Sequence, residues 1–316
     1  MDVIRIGTRG SKLALAQTHL TIDAIKKAQP DVQVEIVTIE TTGDKSQKDN
    51  LNLQKIGGKG LFAAALNEAM ERGEVDLLVH SMKDLPSIRP DKYTIAAMLP
   101  RGDVRDSFLS NIPGVARIED LPPGAIVGTA SPRRAAITKR KRPDLVTINF
   151  RGNVPTRVEK LNNRFEGVSA TFLARVGLER LGMGDVPQTV LDPNEFLPAA
   201  GQAAIGIEVM SDNTKLIELL KSINCEKTYR AVTAERACLA VLDGDCKTSI
   251  SAYATEEGGI MTLRAELYTT DGNGMYAVKV SGPVETSPAL GKKAGTDLLS
   301  QVPKEQYGRY NIIVPA

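Results

Sequence analysis

Lysine and aspartate stand side by side, as Lys83 and Asp84, in the stretch VHSMKDLP from Val79 to Pro86, just after the apolar run Asp76-Leu77-Leu78-Val79. A run of that length and type reads as a short buried β-strand. The carboxyl ends of such strands are where ligands bind in open α/β sheets. An acid next to a cation there can deliver a proton to a bound substrate, or stabilise positive charge on it, while the cation neutralises a neighbouring anion. The same pair also suits a solvated exit from strand to loop, so these residues alone leave both readings open.

Three further loops share this placement between a strand and a helix: Gly7-Thr8-Arg9-Gly10-Ser11, Gly128-Thr129-Ala130-Ser131-Pro132-Arg133-Arg134 and Arg151-Gly152-Asn153-Val154-Pro155-Thr156-Arg157. Small residues let backbone approach a ligand, a helix start offers unpaired N–H groups, and arginine grips a carboxylate or phosphate through two parallel hydrogen bonds. Ser131 at the N-cap with Pro132 at the first helical position fits such a start. Any one of these arginines is equally at home in an ion pair. Four such loops together favour a polyanionic ligand in a cleft. None is a Walker loop or a Gly-x-Gly-x-x-Gly fingerprint, so nucleotide binding has no specific support.

The elements that must position these loops alternate over the first two-thirds of the chain. Strands are expected at 3–6, 32–39, 125–128 and 145–149, with helices from Ser11, over 61–70, from Ser131 and from about Val154. Gly57-Gly58-Lys59-Gly60 reads as a mobile entry to the second helix. Alternation of this kind predicts parallel sheets in two α/β domains. Leu197-Pro198-Ala199-Ala200-Gly201 looks like a second crossover, after which residues 204–209 return as a strand to the first domain. Two crossovers predict a hinged cleft. The last third reads as a small α+β domain: a helix over 228–242, strands at 250–254, 261–268 and 275–280 with a turn at 271–274, and a closing helix over 288–299. The expected domains are 1–100 with 201–220, then 101–200, then 221–316. No internal repeat is visible.

At 316 residues the chain is long enough for two or three domains. Its 40 basic and 38 acidic residues leave it nearly neutral, so no overall field recruits nucleic acid or a membrane. The basic run Lys139-Arg140-Lys141-Arg142 before Pro143 reads as a solvated helix end. No signal peptide and no membrane-length apolar run is apparent, which predicts a cytoplasmic protein. Absence of tryptophan argues against a base-stacking surface. Cys225, Cys238 and Cys246 have no Cys-x-x-Cys spacing, and His19 and His80 lie far from them, so neither disulfides nor a metal site is expected. Cys238 shares a helix face with Ala234, Leu239 and Leu242 and reads as buried. Cys246 follows the glycine loop Asp243-Gly244-Asp245, where a thiol can be presented to a ligand.

Taken in order, the motifs IGTRGSKLALAQ (from Ile6), GGKGLF (from Gly57), VHSMKDLP, RGDVRDSF (from Arg101), VGTASPRR (from Val127), FRGNVPTR (from Phe150), LPAAGQAAIGIE (from Leu197), AERACL (from Ala234) and DGDC (from Asp243) resemble those of the porphobilinogen deaminase family, the hydroxymethylbilane synthases, over nearly the whole chain. The resemblance implies two hinged, periplasmic-binding-protein-like α/β domains plus a small C-terminal α+β domain. It also implies a monomeric transferase that condenses four porphobilinogen molecules head to tail, releases ammonia, and hydrolyses off linear hydroxymethylbilane. The growing chain is anchored on a dipyrromethane cofactor joined to a cysteine by a thioether, and Cys246 occupies that position. Asp84 matches the catalytic carboxylate. Ser81, Lys83, Thr129, Ser131, Arg133, Arg134 and Arg157 match cofactor-binding positions, and Arg9, Ser11, Gln17, Arg151 and Arg180 match substrate-binding ones. Loss of ammonia leaves an electron-poor azafulvenium, which a carboxylate helps to form and stabilises, and which a soft thiolate captures.

Departures from the family pattern are Pro132, Pro155, Ser169, Arg175, Ala203 in place of glycine, and Asp245 with Lys247-Thr248-Ser249-Ile250 around the anchor. The charge of Asp245 disfavours a Cys246 thiolate and that of Lys247 favours it. A second class of protein, a non-enzymatic binder of a small polycarboxylate, would use the same arginines but would need neither Asp84 nor Cys246.

Overall fold

The computed structural model describes residues 3–41, 60–242 and 248–312. The chain is mixed α/β and divides into two compact units, Met1–Gly102 with Gly201–Val232 and Asp103–Ala200 with Thr233–Ala316. The glycine-rich entry at Gly57-Gly58-Lys59 and the segment Asp243–Lys247, with Asp245 and Cys246, lie outside the described residues.

In the first unit, strand β1 (Val3–Arg9) leads to helix α1 (Lys12–Ala28), β2 (Gln33–Ile39), α2 (Gly60–Glu71), β3 (Leu77–Ser81) and β4 (Tyr93–Met98). Ser11 caps α1 by accepting from the Ala14 N–H at 3.2 Å, and Lys26 and Lys27 sit in its last turn, where cations suit the helix dipole. β1 passes β3 so closely at Gly7 that a Cβ there would stand 2.7 Å from the Leu78 side chain. In the second unit β5 (Asp106–Ser110), β6 (Ile126–Gly128), α3 (Pro132–Lys141), β7 (Val146–Ile148), α4 (Val154–Asn162), β8 (Val168–Ala174), α5 (Arg175–Glu179) and β9 (Thr189–Val190) follow. The chain then returns to the first unit as β10 (Ile205–Met210) and α6 (Thr214–Lys221).

The two five-stranded sheets run β2-β1-β3-β10-β4 and β7-β6-β8-β5-β9. In each, the first three strands are parallel, while the fourth is antiparallel to both of its neighbours. In each, too, that fourth strand comes directly after a crossover from the other unit. This shared order is a repeat of topology that no sequence similarity announces. Residues 204–209 were expected to return to the first sheet, and β10 does so. β4, β5 and β9, and helix α6, were not anticipated, because their short mixed runs lack a clear period.

Ile4, Ile6, Leu77, Val79, Ile205, Ile207 and Val209 fill one face of the first sheet together with Leu216 and Leu220 of α6. Leu66, Ala69 and Met70 of α2 cover Leu78 and Tyr93 on the other. The second sheet is packed around Phe108, Phe172 and Phe196. Arg175, one of the departures from the family pattern, begins α5 and pairs with Glu179 at 2.8 Å. Pro132 and Pro155 both lie in the first turn of their helices, where no backbone donor is lost.

The remaining chain is α7 (Glu226–Val241), the antiparallel hairpins of β11 (Ser249–Glu257), β12 (Ile260–Tyr268) and β13 (Met275–Pro283), then α8 (Ser287–Gln301) and α9 (Tyr307–Tyr310). The edge of β11 is not bare. The Ala254 N–H donates to buried Glu235 of α7 at 2.9 Å and the Ala252 N–H to the Pro198 carbonyl at 3.2 Å. Helices α7 and α8 meet through Gly291 and Gly295, packed on Ala234 and Cys238. Cys238 is fully buried, as its apolar helix face predicts, and burial pushes its thiol up to about 12. A Cβ at Gly291 would lie 2.1 Å from the Ala234 carbonyl oxygen, a backbone atom that cannot turn aside. Gly291→Val should therefore lower unfolding free energy by about 3 kcal/mol, read from the urea midpoint.

Candidate active site

The first unit holds a pocket at the carboxyl ends of β1 and β3. Arg9, Ser11, Gln17, His80, Ser81 and Asp84 supply its polar lining, and Leu13, Ala14, Ala63, Leu66, Val79 and Leu85 its apolar walls. Arg9 arrives as the last residue of β1, and Ser11 as the cap of α1. Gln17 lies on the buried face of α1, where its amide and the Ser81 hydroxyl exchange hydrogen bonds of 2.8 and 2.9 Å. β3 ends at Ser81, and a single 3₁₀ turn, Met82–Asp84, follows.

That turn is anchored from below. Met82 is buried, its N–H donates to the Ala204 carbonyl at 3.1 Å, and its side chain occupies the notch over Gly206: a Cβ on that glycine would stand 2.1 Å from Met82 Sδ. Gly201, with φ +68°, approaches the Lys83 backbone nitrogen so closely that its Cβ would lie 3.0 Å away. Ala203, where the family pattern has glycine, takes φ +69°. A left-handed conformation costs an L-residue about 1–2 kcal/mol, which explains why glycine suits that position. Lys83 is half-buried. Asp84 is exposed, and its carboxylate makes no hydrogen bond or ion pair among the described residues.

In the second unit the expected arginines behave differently from one another. Ser131 caps α3 through the Arg134 N–H, and the Thr129 hydroxyl accepts from the Ser131 N–H at 3.2 Å. Arg133 and Arg134 turn inward and are buried. Each gives one Nη2 to a separate oxygen of Asp106 at 2.6 Å, and each gives Nη1 to a carbonyl, Leu197 for Arg133 at 2.7 Å and Phe172 for Arg134 at 2.8 Å. Burial works to raise the pKa of Asp106, but the charges and hydrogen bonds of the two guanidinium groups outweigh it and hold the carboxyl well below its usual range. Two cations on one anion leave a net positive charge beneath the N-terminus of α3. Arg151 and Arg157 stand half-buried at the start of α4, reaching Asn149 at 3.3 Å and the Gly152 carbonyl at 2.8 Å, with Asn153 as the cap. Arg180 follows α5, and burial pulls its guanidinium down to about 10, still cationic at neutral pH.

Among the sequence-derived residues, then, Arg9, Ser11, Gln17, Ser81 and Asp84 share one pocket. Thr129, Ser131, Arg133 and Arg134 gather at one helix start, and Arg151 and Arg157 at the next. Cys246 lies outside the described residues. Sequence reasoning missed Asp106, Glu208, His80 and Arg89 as members of the site's framework. Glu208 and His80 carried a signal, since each is a polar residue inside an otherwise apolar strand run.

Comparison with known proteins gives the family of the chain. The family model "Porphobilinogen deaminase, dipyromethane cofactor binding domain" matches residues 4–218, and "Porphobilinogen deaminase, C-terminal domain" matches residues 229–300. A porphobilinogen deaminase of Paracoccus denitrificans is 44% identical over 305 residues, 96% of this chain and 95% of that one. A chloroplastic porphobilinogen deaminase of Oryza sativa is 44% identical over 306 residues, 94% of this chain and 84% of that one. Among solved structures, a substrate-binding domain of Lactococcus lactis GlnP superposes with a TM-score of 0.41 at 16% identity, covering 71% of this chain and 88% of that one. The chain belongs to the porphobilinogen deaminase family.

The arginine triad sets an acid limit on stability. Because the folded-state pKa of Asp106 lies below its unfolded value, its contribution is full above about pH 5 and is lost as pH falls toward the folded value. Arg133→Leu removes one of the two cations from a fully buried carboxylate and should cost about 3–5 kcal/mol of unfolding free energy at pH 7. Urea titrations from pH 7 to 3 should show a shallower acid limb in the variant, whose Asp106 is less depressed. Equal stability at pH 7 would show that the pair contributes nothing.

Proposed function

We propose that the chain condenses four porphobilinogen molecules head to tail into hydroxymethylbilane, releasing ammonia, on a dipyrromethane primer joined by a thioether to Cys246. The observation that carries this reading is the exposed carboxylate of Asp84, set at the end of β3 in one pocket with Arg9 and the Ser81–Gln17 pair. A polycarboxylate binder would use the arginines but would have no task for that acid.

The donor set fits a dipyrromethane, whose acetate and propionate groups accept hydrogen bonds and carry negative charge. Hydroxyls of Ser81, Thr129 and Ser131, the Lys83 ammonium and the Arg157 guanidinium would hold it, while Arg133 and Arg134, turned inward onto Asp106, would supply positive charge behind the helix start. Arg133 Nε is also buried without a hydrogen-bond partner among the described residues. When bound, the group supplies the pyrrole carbon to which the first substrate unit is joined. Arg9, Ser11, Gln17, Arg151 and Arg180 orient the carboxylates of incoming porphobilinogen. The Gln17 amide is itself fixed by Ser81, so it offers one orientation to a ligand.

Asp84 acts on the aminomethyl group. Its proton assists departure of ammonia, and the resulting carboxylate then faces the cationic azafulvenium and lowers its energy. The exposed position of Asp84 allows a proton to be regained from water between turns. No helix among the described residues is long and apolar enough to cross a membrane. The reading is completed by a third domain over 221–316 that carries the cysteine, and by a monomer acting in the cytoplasm with no nucleic-acid or membrane partner.

Two experiments test the proposal. Asp84→Asn keeps the shape of the side chain but loses acid and charge. Single-turnover ammonia release by the cofactor-loaded variant should fall by about 10²–10⁴-fold, with Asp84→Glu retaining more activity. A rate close to that of the unaltered protein would make Asp84 structural. Intact-mass measurement should show a covalent pyrrole adduct that disappears in Cys246→Ser and persists in Cys238→Ser. An adduct of normal mass in Cys246→Ser would remove the anchor assignment.

A further inference from the structure

One buried carboxylate, Glu208 of β10, lies behind the catalytic turn, and the proposed chemistry has given it no task. Its side chain is 1% exposed. His80 Nε2 donates to Oε2 at 2.8 Å, and Arg89 Nε donates to Oε1 at 2.8 Å. Arg89 Nη2 also reaches Asn67 Oδ1 of α2 at 3.0 Å. Burial works to raise the Glu208 pKa, but the hydrogen bonds and charges of His80 and Arg89 prevail, so the group stays an anion. A single buried carboxylate therefore grips residues 80 and 89 with separate oxygens. The segment between them, from Ser81 at the end of β3 through the 3₁₀ turn that carries Lys83 and Asp84, is closed on that one group.

The same strand also holds the loop in its middle. Gly206 is two residues before Glu208, hence on the same face of β10, and it makes the notch for Met82. A buried ion cluster is a poor way to gain stability, since apolar residues of similar volume do as well or better. Its distinctive property is direction: two ends of a loop are fixed to one point with hydrogen-bond precision.

We propose that Glu208 is a positioning residue for the deamination step, acting as a two-point clamp that holds the 80–89 segment so that the Asp84 carboxylate faces the reacting amine. The proposal rests on the reading of Asp84 as the acid. Glu208→Gln preserves the shape but cannot accept from both partners with full charge.

Single-turnover ammonia release is measured for cofactor-loaded Glu208→Gln, Asp84→Asn and the double variant, and amide exchange at Met82, whose N–H bonds to Ala204, is followed in the same proteins without substrate. Glu208→Gln should be about 10–100-fold slower, a loss of the size that a small misplacement of a reacting group produces. It should exchange the Met82 amide at least tenfold faster, and should cause no further loss of rate in the Asp84→Asn background. A rate within threefold of the unaltered protein, or an equal factor lost in both backgrounds, would overturn the clamp; so would unchanged exchange at Met82. If Asp84→Asn alone kept the full rate, the acid assignment would fall, and the exchange result would still decide the clamp. Should Glu208→Gln fail to fold, Arg89→Gln releases only the more exposed end. It should show the same background-dependent loss, and an unaltered rate there would overturn the proposal as firmly.

Discussion

The antiparallel insertion of β10 between β3 and β4 is the constraint on which the first unit depends. The strand reaches its place only after the chain has built the other unit's sheet and crossed back. Once there, it completes the apolar layer with Ile205, Ile207 and Val209 on one face. Its other face meets the Met82–Asp84 turn, with Gly206 beneath Met82 and Glu208 between His80 and Arg89. Parallel strands leave their carboxyl ends open to solvent. Here an antiparallel neighbour brings its own early residues, Gly201 to Gly206, to that same end, where Gly201, Ala204 and Gly206 pack and hydrogen-bond against the Met82–Asp84 turn.

Buried charge is handled in the two units by one scheme with different consequences. Asp106 and Glu208 are each fully buried, each accepts from two cationic or potentially cationic side chains through separate oxygens, and each is held ionised against the cost of burial. Around Asp106 the partners are two permanent cations, and the cluster keeps a net positive charge under a helix N-terminus. Positive charge placed there adds to the helix dipole and favours anions at the helix start. Around Glu208 the cluster joins His80 and Arg89, the two ends of one segment. Its effect is to fix backbone, and the fixed backbone carries Asp84.

Much of this site was legible before any coordinates. Ser11 and Ser131 act within three residues of themselves, so capping follows from local sequence and leads directly to the helix starts beside Arg9 and Arg133; Asn153 caps the next helix in the same way but was not singled out. The apolar run before Ser81 places Asp84 at a strand end for the same reason: strand period and burial are local properties of Leu77-Leu78-Val79. Arginine direction was not legible. Arg133 and Arg157 occupy similar positions in similar loops, yet one is buried against an aspartate 27 residues away and the other lies half-exposed over its own loop. That difference comes from which strand passes underneath, and no spacing in the sequence records it.

By itself, then, the sequence determined the residue types available to the chemistry, the helix caps, the alternation of strand and helix, and through its ordered motifs the family. These depend on neighbours a few residues apart. Only the tertiary structure decided the shared strand order of the two sheets, the inward turn of Arg133 and Arg134 onto Asp106, and the pairing of His80 with Glu208 across 128 residues. A buried carboxylate must find its cations wherever the fold brings them, and that choice belongs to sheet topology and not to any local stretch of chain.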